Sequence, residues 1–88
     1  MRVHFTDHGW EDYLYWSRND ADVHQRLNEL IENIRSTPFG GIGKPEPLKG
    51  SLKGFWSRRV TQEHRLVYAV EGKGTGQYVV VIQCRYHY

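Results

Sequence analysis

Only one of the 88 residues is a cysteine, Cys84, so no internal disulfide can hold the chain together and a reducing compartment suits it. Cys84 closes an apolar run and has no Cys-x-x-Cys neighbour, which favours a small buried side chain over a nucleophile. Long hydrophobic stretches are missing too, and nothing approaches the ~20 residues that a membrane-spanning helix needs. The opening Met1-Arg2-Val3-His4 is charged early and no apolar segment follows, so no secretory signal is expected. These absences point to a cytoplasmic protein with no membrane partner. Repeats and low-complexity tracts are also absent. The length fits one domain spanning 1–88, of a size that is only marginally stable alone.

The net charge of +2 says little, but its distribution is uneven. Residues 1–36 hold four Arg against seven Asp and Glu, a net of −3. Residues 44–65 hold Lys44, Lys49, Lys53, Arg58, Arg59 and Arg65 against Glu46 and Glu63, a net of +4, with Phe55 and Trp56 among them. Clustered cations beside aromatics suit a polyanion partner. A solvated basic surface explains the same feature equally well.

Arg2 to Phe5 alternates, with Val3 and Phe5 on one face, and predicts a short strand. Thr6 is a natural N-cap with Asp7 in the first turn, opening a helix that carries Trp10, Tyr13, Leu14 and Tyr15 at helical spacing and ends near Asn19. Asn19 or Asp20 caps a second helix, in which Val23, Leu27, Leu30, Ile31 and Ile34 fall on one face and Thr37-Pro38 supplies the stop. Residues 37–54 contain Gly40, Gly41, Gly43, Pro45, Pro47, Gly50 and Gly54 without periodicity, which predicts a long loop, uncommon in so small a domain and often functional. Residues 55–60 and 64–71 predict two strands joined by a tight turn. Residues 78–84 predict a third, whose nearly continuous apolar run calls for a central position covered on both faces. The glycine-rich 72–76 between them is a hairpin loop. It lacks the Gly-Lys-Ser/Thr and following helix of a phosphate-binding loop.

Pairing Val60 with His64 across a three-residue loop sets Arg59 opposite Arg65, Ser57 opposite Val67 and Phe55 opposite Ala69. Like charges directly opposed destabilise a sheet, and an anion between them relieves the repulsion. Phosphate fits the guanidinium fork. Two Arg heads splayed into water, or partnered by Glu46 or Glu63, are the competing explanation. Pro45 and Pro47 flank Glu46 and stiffen the backbone that carries its carboxylate. Arg85-Tyr86-His87-Tyr88 directly follows the third strand and should lie in or beside the sheet, although a frayed end is the usual fate of such a tail. His4 and His8 do not share a helical face, and no Cys or carboxylate completes a set, so neither metal nor cofactor is expected. Metal-free RNA cleavage needs a base for the ribose 2′-OH, an acid for the 5′-oxygen and cations for the charge that builds between them. A carboxylate, an Arg pair and a terminal His would supply these.

Six runs closely resemble the YoeB family of toxins within the RelE-like superfamily: Asp12-Tyr13-Leu14-Tyr15-Trp16, Thr37-Pro38-Phe39, Gly43-Lys44-Pro45-Glu46-Pro47-Leu48-Lys49, Gly54-Phe55-Trp56-Ser57-Arg58-Arg59, Glu63-His64-Arg65-Leu66-Val67-Tyr68 and Cys84-Arg85-Tyr86-His87-Tyr88. The resemblance spans nearly the whole chain. It implies a microbial-ribonuclease-like α+β fold with two helices packed on one face of an antiparallel sheet. It implies ribosome-dependent cleavage of mRNA in the ribosomal A site, leaving a 2′,3′-cyclic phosphate and a 5′-OH. In that scheme Glu46 is the general base, His87 the general acid and Arg65 the transition-state stabiliser. Lys49, Arg59 and Lys44 support the phosphate, and Tyr88 completes the site. The implied partners are the 70S ribosome with its mRNA, a YefM-like antitoxin and a second copy of the chain in a homodimer. One departure stands out: the Gly72 to Gln77 connection is longer than the family's usual hairpin, which bears on antitoxin or ribosome contacts more than on the chemistry. His64 also matches the family, and a structural role beside the turn suits it.

Two other readings compete. A non-catalytic RNA-binding module would use the same basic patch, but a carboxylate such as Glu46 weakens phosphate binding unless it does chemistry. A purely structural partner-binding protein would use the helix faces, whose apolar stripe is equally explained as core.

Overall fold

The computed structural model describes residues 1–88 and runs β1 (Arg2–Phe5), α1 (Asp7–Asn19), α2 (Ala21–Ser36), β2 (Glu46–Pro47), β3 (Trp56–Arg59), β4 (Arg65–Glu71) and β5 (Tyr78–Gln83). Both helix starts follow from their caps: the Thr6 side chain accepts from the Gly9 N–H and the Asp20 side chain from the Val23 N–H. The apolar stripe of α2 is the core-facing one, with Leu27, Leu30 and Ile34 fully buried. Burial of each stabilises the fold by ~1.5–3 kcal/mol. In α1 the expected aromatic stripe is not the buried face. Gly9, Asp12 and Trp16 are buried, whereas Trp10 is exposed and Tyr13, Leu14 and Tyr15 are half-covered. The helix lies so close to β5 that a Cβ on Gly9 would overlap the Val81 carbonyl, which makes glycine a requirement there.

The five strands form one sheet in the order β1-β5-β4-β3-β2. The expectation of an antiparallel sheet needs one correction, because β1 lies parallel to β5, with Arg2 opposite Tyr78 and Phe5 opposite Val81, and the sheet is mixed. Alternation in sequence carries register but not direction, so it could not reveal this. A second correction concerns the 78–84 strand, which is interior as expected, between β1 and β4, but is neither the middle strand nor buried on both faces. The middle strand is β4, whose Arg65 to Ala69 are all buried. In β5 only Val79 and Val81 are buried, and the intervening Val80 and Ile82 are half-covered. The third correction is to the 37–54 loop, which contains the two-residue strand β2 and a turn of 3-10 helix at Gly50–Leu52. Glu46 therefore sits on an edge strand opposite Ser57.

Both helices cover one face of the sheet, where Trp16, Leu27, Leu30 and Ile34 pack with Leu66, Tyr68, Val79 and Val81. Because side chains alternate along a strand, the residues between these point to the far face. That face carries Ser57 and Arg59 of β3 and Arg65, Val67 and Ala69 of β4.

Candidate active site

The β3–β4 hairpin has the predicted register: Ser57 opposes Val67, and Arg59 opposes Arg65. The Val60 N–H closes the turn on the His64 carbonyl at 3.0 Å. Pairing across three strand pairs then sets Glu46, Ser57, Val67 and Gln83 in one row over the far face. An extra residue in β5, at the register shift between Val67 and Tyr68, puts Gln83 rather than Ile82 opposite Val67. Such a bulge re-aims side chains at the end of a strand, here at the point where the C-terminal segment begins.

The two facing arginines differ. Arg59 is exposed. Arg65 is 9% exposed, and its Nη1 donates to the carbonyls of Thr61, Gln62 and His64 at 2.9–3.1 Å, which ties it to the hairpin turn. Neither is neutralised: the chain's only ion pairs are His8–Asp12 and Arg35–Glu32. Glu46, Lys44 and Lys49 are likewise exposed and unpaired. Lys44 takes a positive φ of 52° and leads through Pro45 into β2, and Lys49 follows its end. The Glu partner considered for the arginines is thus not used.

The C-terminal segment reaches the same face. The Tyr88 hydroxyl lies 3.2 Å from Ser57 Oγ, in the row that Glu46 begins. His87 is exposed, with its ring 5.2 Å from that of Tyr88 and only a 3.5 Å contact to the Tyr88 carbonyl. Its imidazole is not tied to another site side chain. The far face of the sheet therefore carries Glu46, Arg59 and Arg65 by register, and the tail bearing His87 reaches it through Tyr88, while Lys44 and Lys49 stand on either side of β2 in the chain. A carboxylate beside unpaired cations and a solvent-facing imidazole can do proton transfer on a bound phosphodiester. No three His, Cys, Asp or Glu side chains converge anywhere in the chain, and no helix is long and apolar enough to cross a membrane.

Arg58, counted among the basic cluster in the sequence, does not belong to it. It points to the helix side, is fully buried, and donates to Tyr68 Oη, Asn33 Oδ1 and the carbonyls of Ile42, Thr37 and Gly40. Strand alternation alone requires Arg58 and Arg59 to face opposite ways, a signal present in the sequence. Ser57 was readable from register but has no motif of its own. Asp12 and Trp16, which hold the tail from α1, stand in one of the family-like runs, but nothing in the sequence pointed to their contacts with Cys84.

Burial acts on the ionisable groups of the helix side. Burial pushes the Cys84 thiol up to about 12, and the nearby Asp12 carboxylate adds to the rise. Tyr68 is also raised by burial, against an opposing hydrogen bond from Arg58. The thiol is therefore protonated at neutral pH and inert as a nucleophile.

The chain as a whole matches a family of known proteins. The sequence profile of the YoeB-like toxin of bacterial type II toxin–antitoxin systems matches residues 5–88. The chain is 54% identical to Toxin YoeB of Streptomyces coelicolor and 52% identical to Toxin YoeB of Escherichia coli K12, in each case over 88 residues that cover both chains completely. It is similar to the solved structure of a YoeB/ParE toxin from Agrobacterium tumefaciens with a TM-score of 0.95 at 53% identity, over the whole of both chains. It is also similar to the toxin in a YoeB–YefM complex and in a YoeB dimer from Staphylococcus aureus, each with a TM-score of 0.88 at 38% and 39% identity over all of this chain and 98% of theirs. The chain belongs to the YoeB-like toxins of bacterial type II toxin–antitoxin systems.

Proposed function

We propose that the protein is a ribosome-dependent endoribonuclease that cuts mRNA in the ribosomal A site by acid–base catalysis without a metal. One observation carries this reading: the exposed Glu46 carboxylate, the unpaired Arg59 and Arg65, and the tail bearing His87 and Tyr88 share the face of the sheet that the helices leave free. Glu46 takes the proton from the ribose 2′-OH, whose oxygen attacks the phosphorus. The P–O5′ bond breaks, His87 protonates the departing 5′-oxygen, and the products are a 2′,3′-cyclic phosphate and a 5′-OH. Arg65 is held against the hairpin turn by Nη1 alone, and no buried nitrogen of it lacks a partner, so its other N–H groups remain open to the charge that builds on the phosphate. Arg59, Lys49 and Lys44 hold the flanking phosphates. Tyr88, braced on Ser57, closes the site at the terminus.

By analogy with the Staphylococcus aureus complex and dimer, the partners are a YefM-like antitoxin, which covers this face in the inhibited state, and a second copy of the chain. A free carboxylate in the phosphate site disfavours the alternative of a passive RNA-binding module.

Primer-extension mapping on programmed 70S ribosomes tests the reading. Cuts within the A-site codon are expected from the wild type, surviving EDTA under conditions that keep the ribosome intact, and are lost in Glu46→Gln and His87→Gln. A scissile linkage with a 5′-thio leaving group needs little protonation, so it should rescue His87→Gln and not Glu46→Gln. Rescue of both or of neither would overturn the acid–base assignment.

A further inference from the structure

After β5 the chain leaves the sheet and is held almost residue by residue. The Cys84 N–H donates to Asp12 Oδ2 at 3.1 Å, and its carbonyl accepts from Trp16 Nε1 at 2.8 Å. The Arg85 guanidinium lies 3.5 Å from the Tyr15 ring centroid and 4.6 Å from that of Tyr86. Tyr86 then takes φ = 68°, a left-handed conformation that a bulky L residue adopts only where its surroundings enforce it. Two bonds enforce it here. The Tyr86 carbonyl accepts from the Arg65 backbone N–H at 3.1 Å. Its N–H donates to His64 Nδ1 at 2.7 Å. His64 is half-buried, with its ring edge-on to Trp16 at 4.8 Å, which fixes the direction of Nδ1. The bend at Tyr86 sets where the next two residues go, and those are His87 and Tyr88.

We infer that His64 is a positioning residue for the terminal acid: its neutral imidazole, protonated on Nε2, locks the Tyr86 bend and so aims His87 at the scissile phosphate and Tyr88 at Ser57. The inference rests on the reading of His87 as general acid. Arg65 backs the same bend from its main chain while its side chain serves the phosphate, so adjacent residues of one turn set both the tail and the charge stabiliser. Nδ1 can accept the Tyr86 N–H only when it carries no proton itself. The exposed His87 has no hydrogen bond of its own to another side chain, so its aim depends on the backbone before it. A misplacement of about 1 Å can cost roughly 100-fold in rate.

Three variants separate this from simple packing against Trp16. His64→Leu keeps an apolar side chain there and loses the acceptor. His64→Asn restores an acceptor at the position of Nδ1, and His64→Gln moves it one bond farther out. On programmed ribosomes His64→Leu should lose roughly 10- to 100-fold in kcat with KM nearly unchanged. His64→Asn should recover most of that loss and His64→Gln little. The 5′-thio substrate should rescue His64→Leu as it rescues His87→Gln. Amide exchange at Tyr86 should speed up at least tenfold in His64→Leu and slow again in His64→Asn.

Full activity of His64→Leu, or equal activity of the Asn and Gln variants, would overturn the inference, as would thio rescue of His87→Gln without rescue of His64→Leu. If His64→Leu does not fold, the Asn–Gln contrast decides. If the thio substrate fails to rescue His87→Gln itself, the reading of the acid falls. Tyr86 exchange, which does not depend on activity, still shows whether His64 locks the bend, and unchanged exchange in His64→Leu would refute that.

Discussion

Arg58 and Arg59 are neighbours in sequence, and the sheet separates them completely. On the helix side Arg58 is sealed from water and satisfied by five acceptors drawn from α2, the following loop and β4. On the far side Arg59 is exposed, faces another arginine and has no ion-pair partner. The same side chain is thus a structural clamp on one face and an available cation on the other. On the helix side polar groups are buried and paired, so the packing there serves stability. On the far side charges stand unpaired, at some cost to stability, in a form that an incoming polyanion can use.

Breaking the helix side should have the largest effect. Arg58→Met deletes the donors to Asn33, Tyr68 and three carbonyls and leaves buried acceptors without partners. A loss of about 3–5 kcal/mol in urea unfolding is expected, a large share of the ~5–15 kcal/mol typical of a domain. A loss below about 1 kcal/mol would mean that the loop repacks and that the clamp is dispensable.

Arg65 sharpens the contrast because it belongs partly to both classes. Arg65→Ala should raise the activation free energy of mRNA cleavage by roughly 2–4 kcal/mol, as loss of an oxyanion donor does. Its stability should fall by only about 1 kcal/mol, through the released turn carbonyls. A sharp fall in Tm with normal activity per folded molecule would make Arg65 purely structural.

Cys84 gives the helix side a pH signature. Its folded-state pKa of about 12 lies above the ordinary 9.0, so the unfolded chain releases this proton first. The stability this group contributes is complete below pH 9 and is lost as pH climbs toward 12. Urea unfolding between pH 8 and 10 should show Cys84 lowering stability by at most about 1.4 kcal/mol per pH unit, with Tyr68, whose ordinary value is 10.0 and which is also raised, adding to the fall toward the upper end. Cys84→Ala should flatten that slope. An unchanged slope in the variant would assign the alkaline loss to other groups.

The sequence revealed what is local and periodic. Both caps, the stripe of α2 and the Arg59–Arg65 register rest on side chains within a few positions of one another, and the structure has them as expected. The parallel β1–β5 pairing was not legible, because strand direction is set by where α1 and α2 return the chain rather than by any pattern in Arg2–Phe5. Arg58 was misassigned because charge counting ignores the face on which a strand residue lies. In the candidate site, Glu46, Arg59, Arg65, Lys44, Lys49, His87 and Tyr88 are all named from sequence, and His64 is read there as a structural residue beside the turn, but the contacts that support the tail were not legible. Asp12, Trp16 and His64 meet it across separations of up to 72 residues. Such contacts exist only once the fold has closed.

Arg59 should show the smallest stability effect. Its guanidinium is exposed and makes no hydrogen bond or ion pair, so Arg59→Met removes no folded-state partner. Unfolding free energy should stay within about 0.5 kcal/mol of the wild type, and the relief of cross-strand repulsion with Arg65 should tip the change, if anywhere, toward stabilisation. The loss should appear instead in binding to RNA. If Arg59 contacts one phosphate, the slope of log K against log salt for a single-stranded oligonucleotide should shrink by about 0.7, with affinity lowered similarly for every sequence. Arg58→Met, measured at a temperature where it remains folded, should leave that slope unchanged. Equal slopes for Arg59→Met and the wild type would mean that Arg59 is an idle surface charge, and the division of labour between the two faces would then rest on Arg65 and Glu46 alone.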